Sequence, residues 1–341
     1  MGKFIGFGDM LVSFCPAGYR RFIQADTMEV GYTGAEANVC VSLAALGVET
    51  DFVTRLPANN DMADCAIACM RKFNVGTEKI VRGGERIGVI YTEKGAAQRP
   101  SKVVYDRKYT SIATAQPGDF DWEKIFADAE WFHFTGITAA LSDSTAALCM
   151  EACQKAKEMG VKVSCDLNFR KKLWTEEKAK SVMEKLVPYC DLVIGNEEDA
   201  DKVLGIRAAD TDVTGGKLNR DGYIDVAKQI CEKFGVQNVA ITLRESISAS
   251  DNQWSAMLYT GGEAYFSKKY MIHIVNRVGG GDSFAAGMVY SMLKGYEPQK
   301  AVEFAVAASC LKHSIEMDFN LVSLEEVTRL AEGDGSGRVQ R

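Results

Sequence analysis

The chain has 341 residues, with 40 Lys and Arg against 46 Asp and Glu and a formal net charge of −6. Its 47% hydrophobic and 25% charged fractions are those of a soluble globular protein, and the length suits one large α/β domain or two small ones. With no basic run, no apolar run near the ~20 residues a bilayer requires and no signal-peptide core, neither nucleic acid nor membrane is an expected partner, and the expected location is cytoplasmic.

Lys3 to Gly8 reads as a buried strand ending at Asp9, which either contacts a polyol or caps a turn. Gly6-Phe7-Gly8 begins a dinucleotide fingerprint, but Leu11 stands where its third glycine belongs, so a nicotinamide site is rejected. Two extended runs follow, Leu11–Phe14 and Arg21–Ala25, separated by Pro16 and Gly18 as in a hairpin. Thr33-Gly34-Ala35-Glu36-Ala37-Asn38 then leads into a small-residue helix ending near Gly47. Val48–Leu56 reads as a strand, and Met62–Phe73 as a helix with apolar Ala66, Ile67, Met70 and Phe73. A second extended pair contains Ile87–Thr92, with Tyr91, and Lys102–Arg107. Strand side chains alternate, so Tyr105 and Arg107 point the same way. A guanidinium beside a ring suits a small ligand carrying a carboxylate, although a solvated sheet edge offers the same residues.

From residue 112 strands and helices alternate. Strands are expected at Trp131–Phe134, Val161–Asp166, Leu192–Ile194 and Val239–Leu243, and helices at Asp143–Met159, Glu176–Tyr189, Glu197–Leu204 and Tyr223–Phe234. The expected fold is α/β, a mostly parallel sheet covered by helices on both faces, in a single domain. The extended pairs at about 10–32 and 86–110 interrupt this alternation and read as a small β-sheet lid. Ligands bind outside the carboxyl ends of such strands. Those ends carry Thr135-Gly136, Asp166-Leu167-Asn168-Phe169-Arg170, Asn196-Glu197-Glu198-Asp199 and Thr242-Leu243-Arg244. The helix Ala301–Ser314 reads as packing, with Lys312 and His313 at its end near a nucleotide base, and residues 333–341 as a loose tail. Ten scattered cysteines without a CxxC pair read as reduced thiols, not as a metal site.

The most informative stretch is Asn276-Arg277-Val278-Gly279-Gly280-Gly281-Asp282-Ser283-Phe284-Ala285-Ala286-Gly287. Three glycines let backbone N–H groups turn toward an anion, and the helix that follows adds its positive end. A carboxylate in that turn supplies a base for an attacking hydroxyl. The plain alternative is a tight turn with Asp282 as an N-cap. A hydrolase with Ser283 as nucleophile needs a histidine partner that no motif provides.

This stretch resembles the C-terminal signature of the carbohydrate kinase (pfkB/ribokinase) family, D-x-x-G-A-G-D-x-F-x-x-G. Asn276 and Gly280 depart from it. Thr33-Gly34-Ala35-Glu36-Ala37-Asn38 resembles the N-terminal signature G-G-x-x-x-N, with Thr33 replacing a glycine. The resemblance implies a ribokinase-like fold, ATP and Mg²⁺, an anion hole at Gly279, Gly280 and Gly281, and Asp282 as catalytic base. It implies sugar contacts at Gly34 and Asn38, beside Asp9, and nucleotide contacts at Asn196; Thr242 and Arg244 stand in place of the family's glycine-bearing nucleotide loop and, with His313, are the other nucleotide contacts expected. Asn196 and Asp199, which resemble the N-x-x-E element with Asp199 in place of its Glu, would organise the metal. A monovalent cation is placed in question by Asn276, because the family's leading Asp is the residue linked to it. A lid of this kind often joins two copies into a homodimer.

Within the family the chain is most similar to the kinases of 2-keto-3-deoxygluconate. The features carrying that likeness are Gly34 to Asn38, Tyr91, Tyr105, Arg107 and Asp166 to Arg170. Arg107 and Arg170 would then hold the sugar's carboxylate. The alternatives are a family kinase for fructose, ribose or a nucleoside, and a sugar-binding protein of the same fold without activity.

Overall fold

The computed structural model describes residues 2–207 and 220–337. Among them a ten-stranded sheet forms the centre. Its parallel part runs in the order Val75–Gly76, Thr50–Val53, Lys3–Phe7, Ala129–Thr135, Lys162–Asp166, Leu192–Asn196, Asn238–Ser246. The antiparallel strand Asp251–Thr260 follows, paired along its other edge with Glu263–Phe266 and Tyr270–His273. Residues of one strand alternate between two cores. Phe4, Trp131, Leu192 and Ile194 pack with the helices Ala35–Ala45, Gly280–Leu293 and Pro298–Lys312. Ile5, Phe7, Phe132, Phe134 and Val193 pack with the helices Asp143–Glu158, Glu176–Leu186 and Glu197–Leu204. Both faces are covered, which is why these strands read as unbroken apolar runs.

A separate sheet contains Glu29–Thr33, Leu11–Cys15, Gly88–Glu93 and Lys102–Asp106, in that order. The strand expected over Arg21–Ala25 is not formed. Phe22–Gln24 is a single 3-10 turn, tied down where Glu93 Oε2 accepts from the Phe22 N–H at 2.9 Å. Ile23 is 93% exposed, so its β-type side chain has no surface to pack against. The partner of Leu11–Cys15 is instead Glu29–Thr33, the segment that delivers the chain to Gly34 and its helix.

Direct cross-strand partners share a face of a sheet. Ser13 opposes both Gly31 and Ile90, and Ile90 opposes Tyr105. This face turns toward the main body, since a Cβ on Gly31 would lie 2.2 Å from Met317 Cε. Phe14, Val30, Tyr91 and Val104 oppose one another on the other face, where Val30 is 53% and Val104 50% exposed.

The last helix, Leu324–Glu332, ends at Gly333 with φ 113°, and Gly333–Gly337 is exposed. Residues 338–341 of the expected tail lie outside the described residues. No helix among the described residues is long and apolar enough to cross a membrane.

Candidate active site

Gly279, at φ +84°, is the N-cap of the helix Gly280–Leu293. A Cβ on Gly279 would lie 2.1 Å from the Asp318 carbonyl oxygen, and one on Gly280 would lie 2.6 Å from His313 Cε1. A Cβ on Gly281 would meet nothing within 4 Å. Packing therefore requires the first two glycines, whereas the third opens the turn to whatever approaches the helix end. Ser283 Oγ donates to the Gly279 carbonyl and Ser309 Oγ to the Gly280 carbonyl, both at 2.7 Å, which holds the turn in place. Ser283 is thus buried and committed to backbone, and the hydrolase alternative falls.

Asp282 lies in the first turn of this helix, and its Oδ2 accepts from Asn38 Nδ2 at 2.7 Å. Burial pushes its carboxyl up to about 6, opposed by the Asn38 hydrogen bond and the Arg170 charge. A carboxylate with that value is mostly ionised at neutral pH yet still basic enough to take a proton. His313 lines the back of the turn. Its Nδ1 pairs with the Ser309 carbonyl at 2.7 Å, its ring tilts against Trp254, and burial holds it neutral, down to about 4.

Asp9 is buried two residues past the strand Lys3–Phe7. Its Oδ2 lies 3.4 Å from Arg107 Nη2, and burial pushes its carboxyl up to about 6 against that guanidinium. Arg107 sits 4.5 Å over the Tyr105 ring. The expected pairing of Tyr105 with Arg107 on one side is present, but Arg107 already faces a carboxylate. Tyr91 does not join them. The register places it on the opposite face of the small sheet, stacked on Phe14 at 5.6 Å, because a strand residue's face is set by its parity against Ile90. Gly34 is required by contact, since a Cβ there would lie 2.0 Å from the Asp9 carbonyl oxygen. Asn38 stands one helical turn on and reaches Asp282.

The carboxyl ends of the central strands add three further groups. Asp166 is buried, and burial, then Asp199 and Asp282, hold its carboxyl well above the ordinary range. Asn196 caps the helix Glu197–Leu204, accepting from the Glu198 and Asp199 N–H groups at 2.9 Å. Asp199 returns the bond to Asn196 N and also accepts from Phe169 N at 2.9 Å. The structure thus gives this pair a capping function first. Arg170 is exposed, and its charge lowers the carboxyls of Asp166, Asp199 and Asp282. Thr242 and the exposed Arg244 lie on Asn238–Ser246, and Arg244 raises the positive potential at Arg277, whose guanidinium donates to the Ala249 carbonyl at 3.1 Å.

The pfkB family carbohydrate kinase model matches residues 5–314. The chain is a pfkB family carbohydrate kinase. It is 48% identical to a 2-dehydro-3-deoxygluconokinase from Thermotoga maritima whose crystal structure superposes with a TM-score of 0.94, covering 98% of this chain and 100% of that one. A pfkB family carbohydrate kinase from Listeria grayi is 32% identical with a TM-score of 0.89, covering 97% and 99% of the two chains. A 2-dehydro-3-deoxygalactonokinase from Haloferax volcanii is 28% identical over 98% of each chain.

Two further buried acids of this kinase were not singled out from the sequence. Glu36 is buried, its Oε1 accepting from Thr135 N, Thr135 Oγ1 and Thr138 Oγ1 at 2.7–2.9 Å, and burial pushes its carboxyl up to about 7. Asp318 accepts from Asn276 Nδ2 at 3.3 Å. Glu36 lies inside the N-terminal signature, which was the available hint, whereas Asp318 follows no motif.

Proposed function

We propose that this kinase transfers the γ-phosphoryl group of ATP to the terminal hydroxyl of 2-keto-3-deoxygluconate, the compound also called 2-dehydro-3-deoxygluconate. The observation that carries this reading is that Asp282 lies in the first turn after the open Gly281, near enough to Arg170 for that charge to act on its carboxyl. The identity to the Thermotoga maritima kinase over the whole chain supports the substrate class.

Asp282 orients the hydroxyl and accepts its proton, with Asn38 holding the carboxylate in line. The N–H groups of Gly279, Gly280 and Gly281, with the helix end behind them, stabilise charge on the transferring group. Arg277, Arg244 and Thr242 border the side from which the nucleotide phosphates enter, and His313, behind the turn, is placed on the side of the nucleotide. Asp199 adds to the burial that raises the Asp166 carboxyl, a charge a hard cation would relieve, so these carboxylates with Asn196 would hold Mg²⁺ together with the phosphates. When bound, that ion neutralises phosphate charge. Arg170 takes the sugar's carboxylate, and Arg107 divides its charge between that carboxylate and Asp9. Gly34 lets the sugar approach the Asp9 strand end. The small sheet acts as a lid that excludes water from the transfer. Its outer apolar face, Phe14, Val30, Tyr91 and Val104, joins a second copy, so the working form is a cytoplasmic homodimer.

A second reading is favoured by one observation. The Haloferax volcanii relative is named for the galactonate epimer, which differs at a single carbon. The test is a coupled assay of ADP release with ATP and each of 2-keto-3-deoxygluconate, 2-keto-3-deoxygalactonate and fructose. The proposal expects the first to have the highest kcat/KM. A higher value for fructose removes the acid-sugar assignment, and no turnover of any sugar removes the kinase mechanism.

A further inference from the structure

Lys312 ends the helix Pro298–Lys312, and its side chain turns inward, leaving the residue fully buried. Its Nζ donates to the carbonyl oxygens of Met317 at 2.9 Å and Ile315 at 3.3 Å. The Met317 carbonyl also accepts from Asn276 Nδ2 at 2.8 Å. A Cβ built on Gly279 would lie 3.2 Å from Lys312 Cε, so the ammonium stands directly behind the glycine turn. The charges facing it are Asp318, Asp282 and Glu316, with Lys94 opposing them. Burial lowers this ammonium to about 8 against the pull of those carboxylates, so it still carries its charge at neutral pH, with two of its hydrogens on backbone carbonyls.

The family resemblance associates position 276 with a monovalent cation. The residues present do not fit one. Asn276 turns an N–H₂ donor, not a carboxylate, toward the carbonyls. Both lone pairs of the Met317 carbonyl are already taken by Lys312 and Asn276.

Resting on the phosphoryl-transfer reading above, we propose that the Lys312 ammonium is a resident cation of this kinase, fixing the 315–318 backbone and setting positive charge behind the Gly279–Gly281 turn in place of an alkali ion. Lys312 is a positioning residue, because its hydrogen bonds go to the Ile315 and Met317 carbonyls and it acts through the turn in front of it.

The test compares kcat, KM and thermal midpoint in K⁺, Na⁺ and tetramethylammonium salts at one ionic strength, about 0.1 M. The wild-type kcat is expected to vary less than about twofold, because the charge is already in place. Lys312→Ala is expected to lose about 10–100-fold in kcat with little change in sugar KM, the usual range for a supporting residue. Methylammonium or K⁺ then restores part of that loss, and raises the thermal midpoint of the variant but not of the wild type. Lys312→Met fills the space without charge, and its loss is not restored. Activation of the wild type by K⁺ of more than about tenfold overturns the proposal, as does a wild-type kcat in Lys312→Met. If Lys312→Ala does not fold, the wild-type salt series and Lys312→Met decide. The midpoint shift reports cation binding without catalysis, so a protein that phosphorylates no sugar fails the kinase reading and leaves this measurement intact.

Discussion

At the glycine turn the carbonyls of Gly279 and Gly280 each accept a buried serine hydroxyl, and Asn38 holds Asp282. In the small sheet the contacts to the body include side-chain pairs, Arg107 with Asp9, Lys94 with Glu316 and Met317 beneath Gly31, and a backbone bond from Ala249 N to the Ala97 carbonyl in its connecting loop. The first region is fixed by backbone packing that leaves no room for an added methyl group at Gly279 or Gly280. The second keeps Val12 of its inner strand in the main core, while its outer strand Lys102–Asp106 alternates between exposed and half-buried residues. Such a division suits a transferase, because the groups that meet developing charge must not reorganise, whereas those that admit the sugar must move. It also means that the two regions respond differently to substitution.

The largest effect is expected at the turn. Asp282→Asn should lower kcat by about 10²–10⁴-fold while KM for ATP and sugar stays close to wild type. Steady-state kinetics check this, and a variant with wild-type kcat removes the base from the mechanism. The same variant tests the raised carboxyl. A folded value of about 6 against an ordinary 3.8 means that the fold favours the protonated form. Stability from this group is full below about 4 and lost as pH rises through about 6. Asp282→Asn should therefore melt above wild type at pH about 8, and the difference should vanish near pH about 4. Wild-type kcat/KM should fall as the pH drops through about 6, opposite in sign to the stability change.

Gly279→Ala and Gly281→Ala sharpen the distinction within the turn itself. Gly279→Ala forces a side chain into φ +84° and against the Asp318 carbonyl, so stability should fall by at least ~1–3 kcal/mol. Gly281→Ala sits in helical backbone with open space, so stability should hold or rise by up to ~1 kcal/mol. Its kcat should still fall, because the new methyl group occupies the approach to the helix end. Chemical denaturation beside kinetics separates the two, and equal losses of stability would contradict the packing argument.

Arg170→Ala should weaken kcat/KM for the sugar acid by about 10–150-fold, the worth of a charge-assisted hydrogen bond of ~1.5–3 kcal/mol, and barely affect fructose. Arg107→Ala should harm both sugars, since it also leaves Asp9 buried without its cation. Equal losses on both sugars for Arg170→Ala would assign that residue to phosphate instead. The smallest expected effect is on the outer face of the small sheet. Val104→Glu should shift the protein to monomer in sedimentation and alter stability by no more than ~0.5 kcal/mol. A dimer that survives it does not use that face.

The alternation of strands and helices was legible because apolar period is a local property, and buried parallel strands announce themselves as apolar runs. The glycine turn was legible for a similar reason, since Gly279 needs a positive φ that few other residues accept. The common side of Tyr105 and Arg107 followed from the pleat alone. What the chain could not show locally was which strand pairs with which. Leu11–Cys15 took Glu29–Thr33 and not the nearer Arg21–Ala25, and the register of Ile90 on Tyr105 sent Tyr91 to the outer face. Nor does any local pattern say that Lys312 turns inward or that Asp318 reaches Asn276, since both depend on the backbone after the helix folding back on the turn. Asn38 and Asp282 stand 244 residues apart and meet at 2.7 Å. Their residue types were set by the sequence, but their contact exists only because the helices Ala35–Ala45 and Gly280–Leu293 pack on the same face of one sheet.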